Sequence, residues 1–380
     1  MKQKIIFGDE AILSFNKLVK SINPKRILIV TGKKSFRQSG ASNMFNKTIN
    51  CYEKHIYDSF ANDPSIEDVK IGLKITKSFK PDLIIAIGGG SAIDMAKHLK
   101  IFSVNNNNLE DKIINKRSLK NSNVPFIAIP TTSGTGSEST SFAVIYIKDK
   151  KYSVESHYLL PDYALIIPKL GDKMSKTVRI STALDAYCQA IESYWSVNST
   201  RSSKLYSGKA IKILKKYILK SLNGDKKAQS EMFKAANYSG RAINIAKTTA
   251  AHAISYMLSR KYNLSHGYSV AITLGKFFVI NEATNNTAIQ DKRGSKYIRR
   301  NMKNLYKLMG LDSAKSCERY WYALMSKLNL TVNTKNIGIK TDADIKFLVD
   351  NINIHRLKNN PIKLNPKIIS KIFHDLSDAN

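Results

Sequence analysis

Through the first part of the chain, short unbroken apolar runs alternate with segments whose apolar positions recur every three or four residues. Runs bounded by Pro and Gly read as buried strands and the recurrences as amphipathic helices. Their alternation predicts a parallel sheet with crossover helices. Arg26–Thr31 (RILIVT) lies between Pro24 and Gly32, Leu83–Ile87 (LIIAI) between Pro81-Asp82 and three glycines, and Phe126–Ile129 (FIAI) between Pro125 and Pro130. Ala164–Ile167 (ALII), ahead of Pro168, completes the set. Phe142–Ile147 and Ser153–Val154 predict a hairpin turning at Lys148-Asp149-Lys150-Lys151. From about Met174 the character changes. Ser181–Val197, Ser203–Leu222, Lys226–Tyr262 and several segments after Gly267 carry helical periodicity, with few prolines and no clean strand run. The expectation is an α/β domain on a parallel sheet over residues 1–170, then an all-α domain over 171–380, joined near Pro168–Lys173.

Composition supports two cores: 380 residues exceed what one ordinary core holds, and 43% of them are apolar. No stretch reaches the roughly 18 apolar residues that span a bilayer. The opening MKQKIIFGDEAILS has neither the apolar region nor the cleavage site of a signal peptide. Cys51, Cys188 and Cys317 are widely spaced and odd in number, which fits free thiols in a reducing cytosol. A cytoplasmic protein with no membrane partner is expected. The net charge of +32 raises nucleic-acid binding, but the lysines are scattered singly along helical segments instead of gathered with aromatics into a stripe. A basic solvated surface with no specific nucleic-acid partner is the expectation, and its positive field favours an anionic small-molecule substrate.

Three constellations carry chemistry. The first is Gly88-Gly89-Gly90-Ser91 between a strand and a helix that continues through Asp94 and Lys97. Glycines at a strand's carboxyl end let backbone approach a phosphate, and the following helix offers free N–H groups and its positive dipole end. The G-x-G-x-x-G spacing is absent. The second is Pro130-Thr131-Thr132-Ser133-Gly134-Thr135-Gly136-Ser137-Glu138, a hydroxyl- and glycine-rich turn after the next strand, suited to a ribose or diphosphate. The third lies in the helical half: Asp185 and Gln189 share a helix face, and His252 and His266-Gly267 follow. Two imidazoles and a carboxylate from separate helices suit a divalent transition metal, although a single His is more often a satisfied core residue.

In this order, these motifs resemble the iron-containing (group III) alcohol dehydrogenase family from about residue 5 to Asn359-Asn360-Pro361. The resemblance implies a Rossmann-like dinucleotide-binding domain followed by an all-helical metal and substrate domain. It implies that Gly88, Gly89, Gly90, Ser91 and Asp94 hold the diphosphate and nearby ribose. Thr131, Thr132 and Thr135 would line the dinucleotide with Lys97 close by. Asp185, His252 and His266 match three of the family's four metal ligands, Fe²⁺ being the metal implied.

Two departures stand out. Gln189 replaces the family's first metal-binding histidine; an amide oxygen can ligate, more weakly than imidazole. Many members also carry a histidine four residues after the position of His252; this chain has Tyr256, whose hydroxyl can relay a proton beside His252. Members that prefer the unphosphorylated cofactor commonly have an acidic residue where Gly32 stands. Gly32 followed by Lys33 and Lys34 therefore favours NADPH over NADH.

Glu192–Asn198 and Lys247–Tyr256 look most like the phosphonoacetaldehyde reductases of this family, which make 2-hydroxyethylphosphonate in phosphonate biosynthesis. A phosphonate needs charge-assisted donors. Arg241, about three helical turns before His252 on one helix face, is the first candidate, with Lys247 and with Lys151 from the hairpin. The alternatives are an alcohol or diol dehydrogenase of the same architecture acting on a neutral or carboxylated substrate, and a non-catalytic dinucleotide-binding protein with a degenerate metal site. A homodimer is the family-like assembly.

Overall fold

The computed structural model describes residues 3–148, 150–283, 288–352 and 354–378. The chain divides into two compact units, Met1–Ser175 and Lys176–Asn380.

In the first unit, six strands form one wholly parallel sheet: β1 (Lys4–Phe7), β2 (Arg26–Thr31), β3 (Glu53–Tyr57), β4 (Leu83–Gly88), β5 (Phe126–Pro130) and, after a hairpin, β8 (Tyr163–Ile166). Their order across the sheet is β1-β8-β5-β4-β2-β3. The inner strands are apolar because helices cover both faces. Side chains alternate accordingly: Ile27, Ile29, Ile85, Ile87, Ile127 and Ile129 pack on one face, and Leu28, Val30, Ile84, Ala86, Phe126 and Ala128 on the other. Of the edge strands, β1 (KIIF) shows only a three-residue apolar run and β3 none. In β3 (EKHIY) only Tyr57 is buried, because an edge strand with a solvated face needs few apolar residues.

The hairpin pairs β6 (Phe142–Ile147) with β7 (Lys150–Glu155), antiparallel, with Tyr146 opposite Lys151 and Ile147 opposite Lys150. The expected turn is thus shorter: Lys150 and Lys151 are strand residues, and Asp149 lies outside the described residues. Lys148 adopts φ 42°, the left-handed conformation that tight hairpin turns require.

The second unit is helical. The helix Lys176–Trp195 is buried nearly all round, and Ala183, Ala186 and Ala190 let neighbouring helices approach closely. Trp195 meets Phe278 edge-on at 5.4 Å, and Tyr187 meets Trp321 at 5.2 Å. The single helix expected over 226–262 is in fact two, Lys226–Ala246 and Ala250–Tyr262. Lys247, at φ 61° and ψ 173°, breaks the run in a backbone region that glycine normally occupies. The second helix restarts where Thr249 is anchored on buried Glu192. No helix among the described residues is long and apolar enough to cross a membrane.

Candidate active site

The register of the sheet brings the glycine- and threonine-rich turns of the first unit to one edge. Thr31 lies opposite Ile87, and Gly88 opposite Pro130. The Thr131 N–H donates to the Gly88 carbonyl at 2.9 Å, and the Thr31 hydroxyl to the Ile87 carbonyl at 2.6 Å. Each glycine here occupies space that a side chain would contest. A Cβ on Gly88 would come within 2.7 Å of the Ala92 methyl, and one on Gly90 within 2.8 Å of the Thr135 methyl. At Gly32 the neighbour is the Ser35 hydroxyl, also at 2.8 Å. The helix Gly90–Phe102 begins without a side-chain cap, so its first-turn N–H groups point out of the strand end as an anion site requires. Ser91 gives its hydroxyl to the Asn62 carbonyl. This edge fits a dinucleotide diphosphate: bare backbone, a helix start and the Thr132 and Thr135 hydroxyls.

Lys97 and Asp94, on the helix that starts at this edge, make bonds within the protein. Lys97 is fully buried, and its ammonium donates to Ser137 O at 2.7 Å, Ser137 Oγ at 3.0 Å, Thr140 Oγ1 at 2.8 Å and Phe142 O at 2.8 Å. Asp94 accepts from Ser137 Oγ at 2.5 Å and from the Val144 N–H at 2.9 Å. Both stitch the threonine-rich turn and the hairpin to the helix. A charge that is out of water must be satisfied, and these four protein acceptors satisfy Lys97.

In the second unit, Asp185 and Gln189 lie on the helix Lys176–Trp195, His252 on the helix Ala250–Tyr262, and His266 at the start of the helix His266–Glu282. One ligating atom from each of Asp185, His252 and His266 falls within 4.8 Å of the others. Asp185 Oδ1 is 3.3 Å from His252 Nε2 and 3.7 Å from His266 Nε2. Ligands about 2.1 Å from a shared ion stand roughly 3.0 to 3.4 Å apart; the Asp185–His252 separation falls in that range and His266 stands slightly wider, so the cluster has the chemistry and nearly the spacing of a divalent metal site. Gly267 makes the convergence possible. A Cβ there would sit 1.8 Å from the Ser181 carbonyl oxygen and 2.8 Å from the Asp185 nitrogen, so only glycine lets this helix start press against the one that carries Asp185.

Gln189 lies one turn from Asp185 on the same helix. Its Oε1 accepts from the Ser239 hydroxyl at 3.1 Å. Burial opposes ionisation of Asp185, yet the hydrogen bond from His252 and the nearby imidazoles hold its carboxyl below the usual carboxylate range. Burial alone would also keep His252 neutral. The carboxylates of Glu192 and Asp185 outweigh it and push the imidazole up to about 9, so a metal entering here displaces a proton.

The remaining candidates lie on other turns or other elements. Tyr256 lies one turn after His252, and its hydroxyl accepts from Arg260 Nη1 at 2.9 Å. Arg241 stacks on the Tyr206 ring at 3.9 Å and donates to its hydroxyl. Because the helix breaks after Ala246, Arg241 and His252 do not share a continuous helix face as expected. Lys247 occupies the break, and Lys151 lies on β7 of the first unit. One residue escaped the sequence reading: Glu192, fully buried and in contact with His252. Its spacing was the available signal, since Asp185, Gln189 and Glu192 recur at four and three residues along one face.

A family model for iron-containing alcohol dehydrogenases matches residues 2–168, and one for the Fe-containing alcohol dehydrogenase family's C-terminal domain matches residues 179–377. The chain belongs to the iron-containing alcohol dehydrogenase family, whose members bind NAD(P) and a metal. Among relatives, it is 34% identical over 227 residues to long-chain-alcohol dehydrogenase 1 of Geobacillus thermodenitrificans, covering 59% of this chain and 58% of that one. It is 30% identical over 253 residues to the phosphonoacetaldehyde reductase of Streptomyces viridochromogenes, covering 64% of each. The matched stretches thus span less than two thirds of these relatives. The fold matches the iron-containing alcohol dehydrogenase of Thermococcus thioreducens with a TM-score of 0.87 at 24% identity, over 100% of this chain and 99% of that one.

Proposed function

We propose that the protein is an NAD(P)H-linked, metal-dependent oxidoreductase that reduces a small aldehyde, and that this aldehyde is phosphonoacetaldehyde, giving 2-hydroxyethylphosphonate. The observation that carries the reading is the Asp185–His252–His266 cluster in a chain of this family. When bound, the dinucleotide supplies the hydride, and a divalent ion, Fe²⁺ in the family, supplies Lewis-acid polarisation of the carbonyl. The protein's own residues do the rest. Gly88, Gly89, Gly90 and the first turn of the following helix receive the diphosphate, with Ser91, Thr131, Thr132 and Thr135 beside it. Asp185, His252 and His266 would hold the ion, with Gln189 on the same helix face as a weaker fourth candidate. Tyr256 or a water would pass a proton to the product oxygen. NADPH is favoured because the exposed Lys33 and Lys34 follow Gly32, where no carboxylate repels a 2′-phosphate.

The phosphonate assignment is supported by the Streptomyces relative and by the basic residues Arg241, Lys247 and Lys151. Steady-state reduction of phosphonoacetaldehyde, acetaldehyde, lactaldehyde and succinic semialdehyde tests it. A kcat/KM at least about tenfold higher for the phosphonate is expected, with Arg241→Ala or Lys247→Ala raising its KM by an order of magnitude. Equal turnover of neutral aldehydes, with no effect of either substitution, would leave a general alcohol dehydrogenase.

A further inference from the structure

We infer that Glu192 is a positioning residue for the metal ligand His252, and that one buried carboxylate fixes the start of its helix, the rotation of its ring and the nitrogen it offers. This rests on the reading of Asp185, His252 and His266 as metal ligands.

Glu192 is fully buried, on the same face of its helix as Asp185 and Gln189. Its Oε1 accepts from Thr249 N at 3.1 Å, Thr249 Oγ1 at 2.8 Å and His252 N at 3.3 Å. The N–H groups of Thr249 and His252 belong to the opening turn of the helix Ala250–Tyr262, where a helix lacks acceptors of its own. Thr249 occupies the N-cap but makes no side-chain cap; its hydroxyl is turned to Glu192 and also accepts from Trp195 Nε1 at 2.9 Å. The cap is therefore supplied from another helix, seven residues along from a ligand that the same helix carries.

The other oxygen of Glu192 pairs with His252 Nδ1. A carboxylate accepts, so Nδ1 must carry the hydrogen, and Nε2 is the nitrogen whose proton a metal displaces to take its lone pair. Nε2 is the atom that faces Asp185, at 3.3 Å. Outer carboxylates of this kind set tautomer and orientation and typically account for a 10–100-fold effect on metal affinity. Here the same group also ties the ring to the backbone it hangs from.

Glu192→Gln separates these roles. The amide oxygen still accepts from Thr249, but the amide N–H now faces Nδ1, which must become the acceptor and send its hydrogen to Nε2. Co²⁺ titration of the full-length protein, followed by its visible absorption and by equilibrium dialysis, should give an affinity about 10–100-fold weaker. Thermal unfolding in chelator should stay close to the wild type. Thr249→Val, which keeps the carboxylate–imidazole pair, should lower the unfolding temperature and leave Co²⁺ affinity within about twofold. Equal Co²⁺ affinity in Glu192→Gln and wild type, or equal losses in Thr249→Val and Glu192→Gln, would overturn the proposal while the metal site stands. Undiminished Co²⁺ binding by Asp185→Ala would instead remove the metal site itself, and the proposal with it. Should Glu192→Gln not fold, ¹⁵N-histidine spectra of the Zn²⁺-loaded wild type decide. Hydrogen on His252 Nδ1 is expected, and its absence there overturns the assignment.

Discussion

The two candidate sites are built in opposite ways. In the first unit the backbone makes the site: glycines and a bare helix start form the cradle, while the charged neighbours, buried Lys97 and half-buried Asp94, are bonded as scaffold. In the second unit side chains make the site, and the backbone serves it through one close contact at Gly267 and one borrowed cap at Glu192. Both units thus keep a fully buried charge beside the site, Lys97 in one and Glu192 in the other. A buried charge is spent on whatever satisfies it. Lys97 holds a loop, whereas Glu192 holds a ligand.

That difference can be broken by substitution. The largest expected effect is Lys97→Met, which strips four acceptors and leaves Asp94, 3.7 Å away, without its cation. A loss of about 3–5 kcal/mol is expected in urea unfolding, with Co²⁺ affinity unchanged in whatever protein remains folded. Gly267→Ala comes next. Its methyl meets backbone, which cannot rotate away, so a cost of about 3 kcal/mol, at the upper end for overpacking, should appear together with loss of Co²⁺ binding. Gly90→Ala should cost less stability but weaken NADPH binding by roughly tenfold or more, read by quenching of cofactor fluorescence, because its methyl crowds Thr135 and narrows the cradle. The smallest effect on stability belongs to Lys247→Gly. Glycine relieves the backbone strain at φ 61°, so stability should lie between unchanged and a gain of about 1 kcal/mol, while KM for phosphonoacetaldehyde rises. A large loss of stability in Lys247→Gly would mean that the lysine side chain is structural.

How far each site was legible follows from the same contrast. Leu83–Ile87 and the glycines after it are contiguous, and an apolar strand running into glycines announces a strand end with phosphate-binding geometry. The edge strand Glu53–Tyr57 was hidden, because a half-solvated strand of mixed polarity carries no period long enough to detect. In the second unit, helix spacing revealed Asp185 and Gln189, but nothing local announces the break at Lys247-Thr248-Thr249. Its causes are Glu192, more than fifty residues earlier, and a strained lysine. Arg241 was consequently placed on a helix face that does not continue to His252. The full burial of Lys97 was equally hidden, because sequence reports a charge but not its burial. Glu192 shows the converse: its period with Asp185 was visible, and its partner was not.

The most direct test of the account is NADPH oxidation by the chelator-treated protein with phosphonoacetaldehyde, before and after Fe²⁺ is restored, with NADPH binding measured in parallel. The account predicts intact cofactor binding, negligible turnover without metal, recovery with Fe²⁺ and a lower rate with NADH. Full turnover after exhaustive chelation, or no turnover of any aldehyde with any divalent metal while NADPH still binds, would contradict it.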